Sequence, residues 1–203
     1  MPDSHTDSVV ADTLRAAVSG AAIEEAPAAD MPTAYVDREH VVDVCRALRD
    51  HPALQFALLI DVTAADYLPA EPRFEIVYHL ACVGSAYVIS PGGAAAPARR
   101  FRLKVRLPGA DPTIPTVTSI YPTANWLERE VFDLMGITFI GHPDLRRILM
   151  ADDWVGHPLR KDYPVQIRKD AQAWEPIQLS VEEFAANVRA ARAKADSEAG
   201  KPS

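Results

Sequence analysis

The chain has 203 residues, with 21 lysines and arginines against 28 acidic residues, so its formal net charge is −7. Apolar residues make up 48% and charged residues 24%, proportions that exclude general disorder. An acidic chain without a basic run is a poor nucleic-acid binder. Two cysteines are too few for a structural zinc site, an iron–sulfur cluster or a disulfide framework.

The sequence contains neither a membrane-spanning stretch nor a secretory signal. No run approaches the roughly 18 to 20 consecutive apolar residues of a transmembrane helix. The first seven residues lack the basic and apolar regions of a signal peptide. Prolines are frequent, since the 17 prolines make up about 8% of the chain and the usual share is about 5%. We therefore expect a protein that does not cross a membrane by itself, with extended segments packed against something else.

The first half of the chain predicts two helices and then several strands. Residues 7–18 have the apolar spacing of a helix, residues 21–32 are an Ala- and Pro-rich mobile connection, and residues 33–36 could be a strand. Asp37 is predicted to cap a second helix, which ends at His51 because a proline follows. Further strands are predicted at 57–62, 74–83, 87–89 and 101–107, with a hairpin tip at 91–97. This order predicts an α+β fold, a mostly antiparallel sheet covered by helices.

The second half predicts an irregular arm between two helices. A third helix covers residues 123–135 and ends at Gly136, and a short strand follows at 137–140. Periodicity then disappears, although apolar residues continue, and a last helix begins at Ser180 with Glu183 completing a capping box. We expect four parts: an N-terminal helix and mobile connection (1–32), an α+β domain (33–140), an irregular extended interface arm (141–179), and a C-terminal helix with a polar tail (180–203).

The densest group of charges lies on the third helix. Arg129 can pair with Asp133 four residues later, and Glu130 places a second acid near Asp133. Close carboxylates can form an acid/base pair or hold a hard cation. They can also belong to a charged face that pairs with a neighbouring surface, and the spacing favours that interpretation.

A second group combines two His-Pro pairs, at His142 and His157, with nearby acids, which could indicate a metal-dependent hydrolase. Against a metal site, cationic side chains that would repel a cation are interleaved: Arg146, Arg147, Arg160 and Lys161. We therefore expect no metal ligand. The sequence also lacks a nucleophile elbow, the Gly-x-Ser-x-Gly motif, so we expect no catalytic residue. His-Pro favours extended backbone, arginines bind carboxylates of a partner, and Trp154 and Tyr163 suit an interface.

Three runs in this part of the chain carry a resemblance to a known family. They are Leu127–Ile137, Gly141–Leu149 and Asp153–Pro164. Together they closely resemble the 30 kDa subunits of the proton-pumping NADH:quinone oxidoreductases, respiratory complex I. Weaker resemblance at 61–67 and 73–80 extends the match to roughly residues 35–164.

The resemblance implies a non-catalytic subunit that binds no cofactor itself. It implies a place in the peripheral arm, on the cytoplasmic side of the inner membrane, with membrane association only through partners. Those partners are chiefly the large subunit of the quinone site and the subunit with the terminal iron–sulfur cluster, while FMN and the clusters lie in other subunits. An alternative is the matching subunit of a membrane-bound hydrogenase or another donor:quinone oxidoreductase.

The family signature assigns interface and structural roles to a set of positions in the third helix and the arm. They are Glu128, Arg129, Glu130, Asp133, Gly136, His142, Arg146, Arg147, Asp153, Trp154, Gly156, His157, Pro158, Leu159, Arg160, Lys161, Asp162, Tyr163 and Pro164.

Overall fold

The computed structural model describes residues 4–27, 30–83, 98–164, 180, 182–186 and 188–189. Contacts divide the chain after Pro164 into a larger and a smaller unit. The larger unit contains α1 (Ser4–Ala17), β1 (Glu24–Ala26), β2 (Thr33–Tyr35), a 3₁₀ turn (Arg38–His40), α2 (Val41–Asp50), β3 (Leu58–Asp66), β4 (Phe74–Cys82), β5 (Arg99–Leu107), β6 (Thr113–Pro115), α3 (Ala124–Met135) and β7 (Thr138–Ile140).

The main sheet has five strands in the order β1-β2-β5-β4-β3. Three of its pairings are antiparallel and one, between β2 and β5, is parallel. A separate two-stranded sheet pairs β6 and β7 in parallel. The prediction of an α+β fold with a mostly antiparallel sheet is confirmed. The parallel pairs could not be predicted, because they join segments that are distant in the chain.

The core lies between one face of the main sheet and the helices. β5 alternates as predicted, with Phe101, Leu103, Val105 and Leu107 buried. α2 contributes an apolar face of Val41, Val44, Cys45 and Leu48 to the same core. Burial of each large side chain contributes roughly 1.5–3 kcal/mol. Cys45 and Cys82 are free and buried, as expected of residues that fill a core.

Several predicted boundaries shift. β1 lies within the connection expected at 21–32. The sequence did not predict this strand, because three residues are too few to show periodicity. β3 runs on to Asp66, and a 3₁₀ turn precedes α2. The carboxylate of Asp37 does not cap that turn but accepts a hydrogen bond from the Ala22 amide at 2.8 Å.

Other expectations concern the chain beyond these elements. The strand predicted at 87–89, the hairpin tip at 91–97 and the extended segment expected at 165–179 lie outside the described residues. The capping box at the last helix is confirmed, because the Ser180 amide donates to the Glu183 carboxylate at 2.9 Å and the Glu183 amide donates to the Ser180 hydroxyl oxygen at 3.2 Å. Among the helices described, none is long and apolar enough to cross a membrane.

α3 positions the region in which the signature lies. It packs beside β3, an edge strand of the main sheet, and it ends at Gly136 in a left-handed conformation, as predicted. The described part of the predicted arm, residues 141–164, returns to this end of α3. We refer to residues 141–164 as the arm.

Candidate functional site

The C-terminal end of α3 is capped by side chains and backbone of the arm. Helix ends leave their last carbonyls without intrahelical partners and carry a partial negative charge. His157 donates through Nδ1 to the Asp133 carbonyl at 2.9 Å, and the Leu159 amide donates to the Leu134 carbonyl at 3.0 Å. Arg160 donates through Nε to the Met135 carbonyl at 2.6 Å and through Nη2 to the Gly136 carbonyl at 3.1 Å.

Gly136 makes this close approach possible. Its φ is +69°, a conformation that residues with a Cβ rarely adopt. A Cβ at this position would lie 2.4 Å from Cδ2 of His157 and 2.5 Å from Nη2 of Arg160. The glycine therefore serves both the helix end and the packing of the arm on it.

Replacement of Gly136 by alanine should lower the free energy of unfolding by about 2–4 kcal/mol, from backbone strain plus overpacking. Gly141→Ala is the matched control, because Gly141 also has a positive φ, +81°, but its added Cβ meets Thr116 at an ordinary 3.6 Å. Urea denaturation of both full-length variants checks this. Equal losses in the two variants would contradict the clash with His157 and Arg160.

Asp133 is fully buried and ties α3 to the start of the arm. Its Oδ2 accepts hydrogen bonds from three consecutive backbone amides, Ile148 at 3.0 Å and Leu149 and Met150 at 2.8 Å each. Its Oδ1 accepts from Nη1 of Arg147 at 2.6 Å. Burial alone would raise the pKa of this carboxyl, but the three amides and the guanidinium outweigh it and lower the pKa to about 2.

Arg147 extends this junction to the middle of the arm. Its Nη2 donates to the carbonyls of Trp154 and Gly156 at 3.0 Å each. Arg129, which we predicted to pair with Asp133, instead donates to the carbonyls of Arg146 and Arg147 at 3.1 and 3.2 Å. The predicted pair does not form because Asp133 points into the protein, where Arg147 and the amides occupy it.

Glu128 is the second fully buried carboxylate of the signature. Its Oε1 accepts from the Val117 amide at 2.8 Å and its Oε2 from the Thr116 hydroxyl at 2.5 Å. Burial raises the pKa of this carboxyl to about 7, against the smaller opposing effect of those two hydrogen bonds. The buried ring of His142 lies 3.9 Å away through Nε2.

The two histidines use ring nitrogens to fix backbone. His142 Nε2 donates to the Asn125 carbonyl at 3.1 Å, and its Nδ1 accepts from the Asp144 amide at 3.0 Å. His157 uses Nδ1 at the end of α3. Within the described residues, no three His, Cys, Asp or Glu side chains form a group that could hold a metal ion. The geometry therefore lends no support to the metal-dependent hydrolase.

Two residues outside the predicted set attach the end of the arm to the main sheet. Asp66 accepts from Arg73 at 2.9 and 2.7 Å across the β3–β4 turn, and from the Lys161 amide at 2.9 Å. Arg73 also donates to Asp162 at 3.0 Å. These contacts lower the pKa of Asp66 and raise that of Arg73, chiefly through their mutual hydrogen bonds. Asp66 ends β3 and Arg73 directly precedes β4, and an acid and a base in these positions beside a turn are the sequence signal that could have revealed the pair.

The signature positions differ in exposure. Glu128 and Asp133 are buried. The half-buried positions are Arg129, Gly136, His142, Arg147, Trp154, Gly156, His157, Pro158, Arg160 and Tyr163. The exposed positions are Glu130, Arg146, Asp153, Leu159, Lys161, Asp162 and Pro164. Most charged positions of this set bond within the chain, and Arg146 pairs with Asp144 at 2.6 Å.

The arm and the adjacent part of α3 also expose apolar side chains. Trp126 is 62% exposed, Leu149 60% and Val155 86%, and Leu159 is exposed as well. The guanidinium of Arg129 lies over the Trp126 ring at 5.1 Å from its centre. The sequence analysis did not single out Trp126 as an exposed residue, although a tryptophan directly before the signature run was a visible signal. Exposed apolar groups of this kind mark interaction sites when they cluster.

Comparison with known sequences identifies relatives of this arrangement. Residues 34–169 match the family described as the 30 kDa subunit of the respiratory-chain NADH dehydrogenase. The chain is 54% identical over 135 residues to the corresponding NADH-quinone oxidoreductase subunit of Geobacter sulfurreducens, covering 66% of this chain and 75% of that protein. It is 41% identical over 181 residues to the Methylobacterium protein of the same name, covering 85% and 78%.

One solved structure has the same fold over most of the chain. It is a chain of the membrane-bound sulfane sulfur reductase, described as an archaeal respiratory membrane complex. The match has a TM-score of 0.63 at 23% identity and covers 87% of this chain and 97% of that one. At this identity the likeness shows the fold alone.

Proposed function

This chain belongs to the family of 30 kDa subunits of the respiratory-chain NADH dehydrogenase, and from that premise we propose that it is a structural and assembly subunit of the complex. In this proposal it contributes no catalytic residue to the oxidoreductase. It holds together the peripheral arm of the enzyme, in which electrons pass from NADH through FMN and iron–sulfur clusters of other subunits to quinone. Proton translocation is coupled to that transfer elsewhere in the complex.

The observation that carries the proposal is that polar and apolar side chains of residues 141–164, the arm of this chain, have different surroundings. Its polar groups bond to the end of α3 and to the β3–β4 turn, which gives the arm a defined shape. Its apolar side chains Leu149, Val155 and Leu159 remain exposed, as does Trp126 on α3. A preorganised surface loses little conformational entropy on binding, and tryptophan is enriched among residues that dominate interfaces.

We take the large subunit of the quinone site as the chief partner of this surface, with the subunit that carries the terminal iron–sulfur cluster beside it. The chain would then attach to the cytoplasmic side of the inner membrane as a peripheral subunit, through its partners. Family membership supports this assignment, and the preorganised exposed surface of the arm agrees with it.

Introducing a charge into the exposed apolar surface should prevent assembly without unfolding the chain. We expect Val155→Asp combined with Leu149→Asp to lower the assembled complex at least tenfold on native gels, because interface cores exclude charge. NADH:quinone activity of the membranes should fall in proportion. Val9→Asp is the matched control, since Val9 is an exposed valine on α1 and not part of the arm.

Assembly and activity measurements on the same variant separate the proposal from its alternatives. Normal assembly of the complex with the Val155→Asp, Leu149→Asp variant would contradict the docking role. A defect in quinone reduction by hydrogen or another donor, with NADH oxidation unchanged, would instead favour the related hydrogenase or donor:quinone oxidoreductase.

A further inference from the structure

A narrow groove separates β3 from α3 and has a volume of about 100 Å³. Its apolar lining residues include Ala64, Leu134 and Met135, and Leu159 of the arm also lines it. Two of its lining residues carry carboxylates, half-buried Asp61 on β3 and exposed Glu130 on α3, and we call these two its rim. We refer to this feature as the β3–α3 groove.

The backbone of β3 is irregular at this groove. The pairing of β3 with β4 shifts register between Leu59 and Asp61, as it does at a β-bulge, so that Ile60 is an extra residue. Ile60 is 48% exposed beside Asp61. Bulges occur at sheet edges and re-aim side chains next to binding sites. Here the bulge precedes the carboxylate of Asp61 at the rim of the groove.

Neither rim carboxylate is neutralised by a strong base. Within the part of the chain that the structure describes, the one basic group within 4 Å of Asp61 is Nδ1 of His79, at 3.8 Å, and Glu130 has none. Burial, followed by the charge of Arg102, lowers the pKa of His79, so this ring offers little positive charge near pH 7. The groove thus combines apolar lining residues with an excess of negative charge at its rim.

Resting on the docking function proposed above, we propose that the β3–α3 groove receives a single lysine or arginine side chain of the partner subunit. The aliphatic stem of such a side chain would lie on Ala64 and Leu134, while its cationic head would stand between Asp61 and Glu130. Long basic side chains divide in this way between apolar and polar surroundings. Leu159, which lines the groove, is also one of the exposed apolar side chains of the arm.

In this proposal Glu130 binds the partner directly, whereas Glu128 and Asp133 do not. Glu128 and Asp133 are buried and bonded within the chain, whereas Glu130 is exposed and lies on the rim of the groove. A carboxylate in such a position can add specificity and speed of association through charge complementarity.

The test measures binding of the full-length chain to the co-expressed and purified quinone-site subunit, at low and high ionic strength. We expect the Asp61→Asn, Glu130→Gln double variant to bind roughly tenfold more weakly at low salt and to lose most of the salt dependence. Glu39→Gln, on the 3₁₀ turn away from the groove, should behave like the unmodified chain.

A second measurement identifies the occupant. A photo-crosslinker attached to Ile60→Cys should form a link to a partner peptide that contains lysine or arginine. Both native cysteines are buried, so the label should react at position 60. A link to a second copy of this chain, or unchanged affinity and salt dependence in the double variant, would overturn the groove proposal and leave the docking function standing. Failure of the unmodified chain to bind would overturn both.

Discussion

Replacement of Asp133 by asparagine should lower the free energy of unfolding of the full-length chain by about 3–5 kcal/mol. The side chain is fully buried and is the common acceptor of three amides and of Arg147. Asparagine keeps the size but removes the charge, which leaves the guanidinium of Arg147 without its counter-ion in a largely buried position. Breaking a buried ion pair costs far more than losing an exposed one.

Urea denaturation checks this result, with Asp152→Asn, an exposed acid of the arm, as the control. Hydrogen exchange provides a second measurement, because the amides of residues 148–150 lose their shared acceptor and should exchange faster. A loss below about 1 kcal/mol, comparable to that of an ordinary hydrogen bond, would contradict the central role of Asp133.

Acid should remove part of the same contribution in the unmodified chain. The pKa of Asp133 in the folded protein is about 2, below its ordinary value of 3.8. A group whose pKa falls on folding stabilises the folded state above its unfolded pKa. This contribution is therefore present above about pH 4 and is lost as the pH falls towards 2.

Glu128→Gln should have the opposite pH signature and make the chain more stable at pH 8. Burial raises the pKa of this carboxyl from 4.5 to about 7, so folding favours its protonated form. Stability from Glu128 is complete below the unfolded pKa and is lost as the pH rises through the folded one. The shift corresponds to about 3 kcal/mol lost between pH 4.5 and 7.

Glutamine stays neutral and keeps an oxygen for the Val117 amide, so it should flatten the profile over that window. Glu130→Gln, two residues later and exposed, should leave the profile unchanged. The measurement is the urea midpoint across pH 5–8. A profile for Glu128→Gln that still falls with rising pH, in parallel with the unmodified chain, would show that another group causes the decline.

Strong local patterns made part of the fold predictable. α3 could be predicted from its apolar spacing and from Gly136, and β5 from its strict alternation, because both signals lie within one element. β1 and β6 have three residues each, which is too few to show a period. The parallel pairing of β2 with β5 depends on which segments meet after the helices have packed.

The site shows the same contrast. Spacing along α3 predicted that Arg129 and Asp133 would pair, since they lie one helical turn apart. Packing decided otherwise, because burial gives Asp133 three amide donors and Arg147 as partners. The resemblance marked a set of positions in the arm but could not separate those that bond within the chain from those that face outward.

The sequence by itself determined the apolar faces, the end of α3 at Gly136, the α+β class and the family resemblance. These properties depend on residue type and on short spacings. Only the tertiary structure decided which partner each charged residue takes. The amide of Lys161, for example, bonds to Asp66, 95 residues away. Such pairs form only where packing has already brought distant segments together and excluded water, which also leaves Glu130 and the apolar side chains of the arm facing outward.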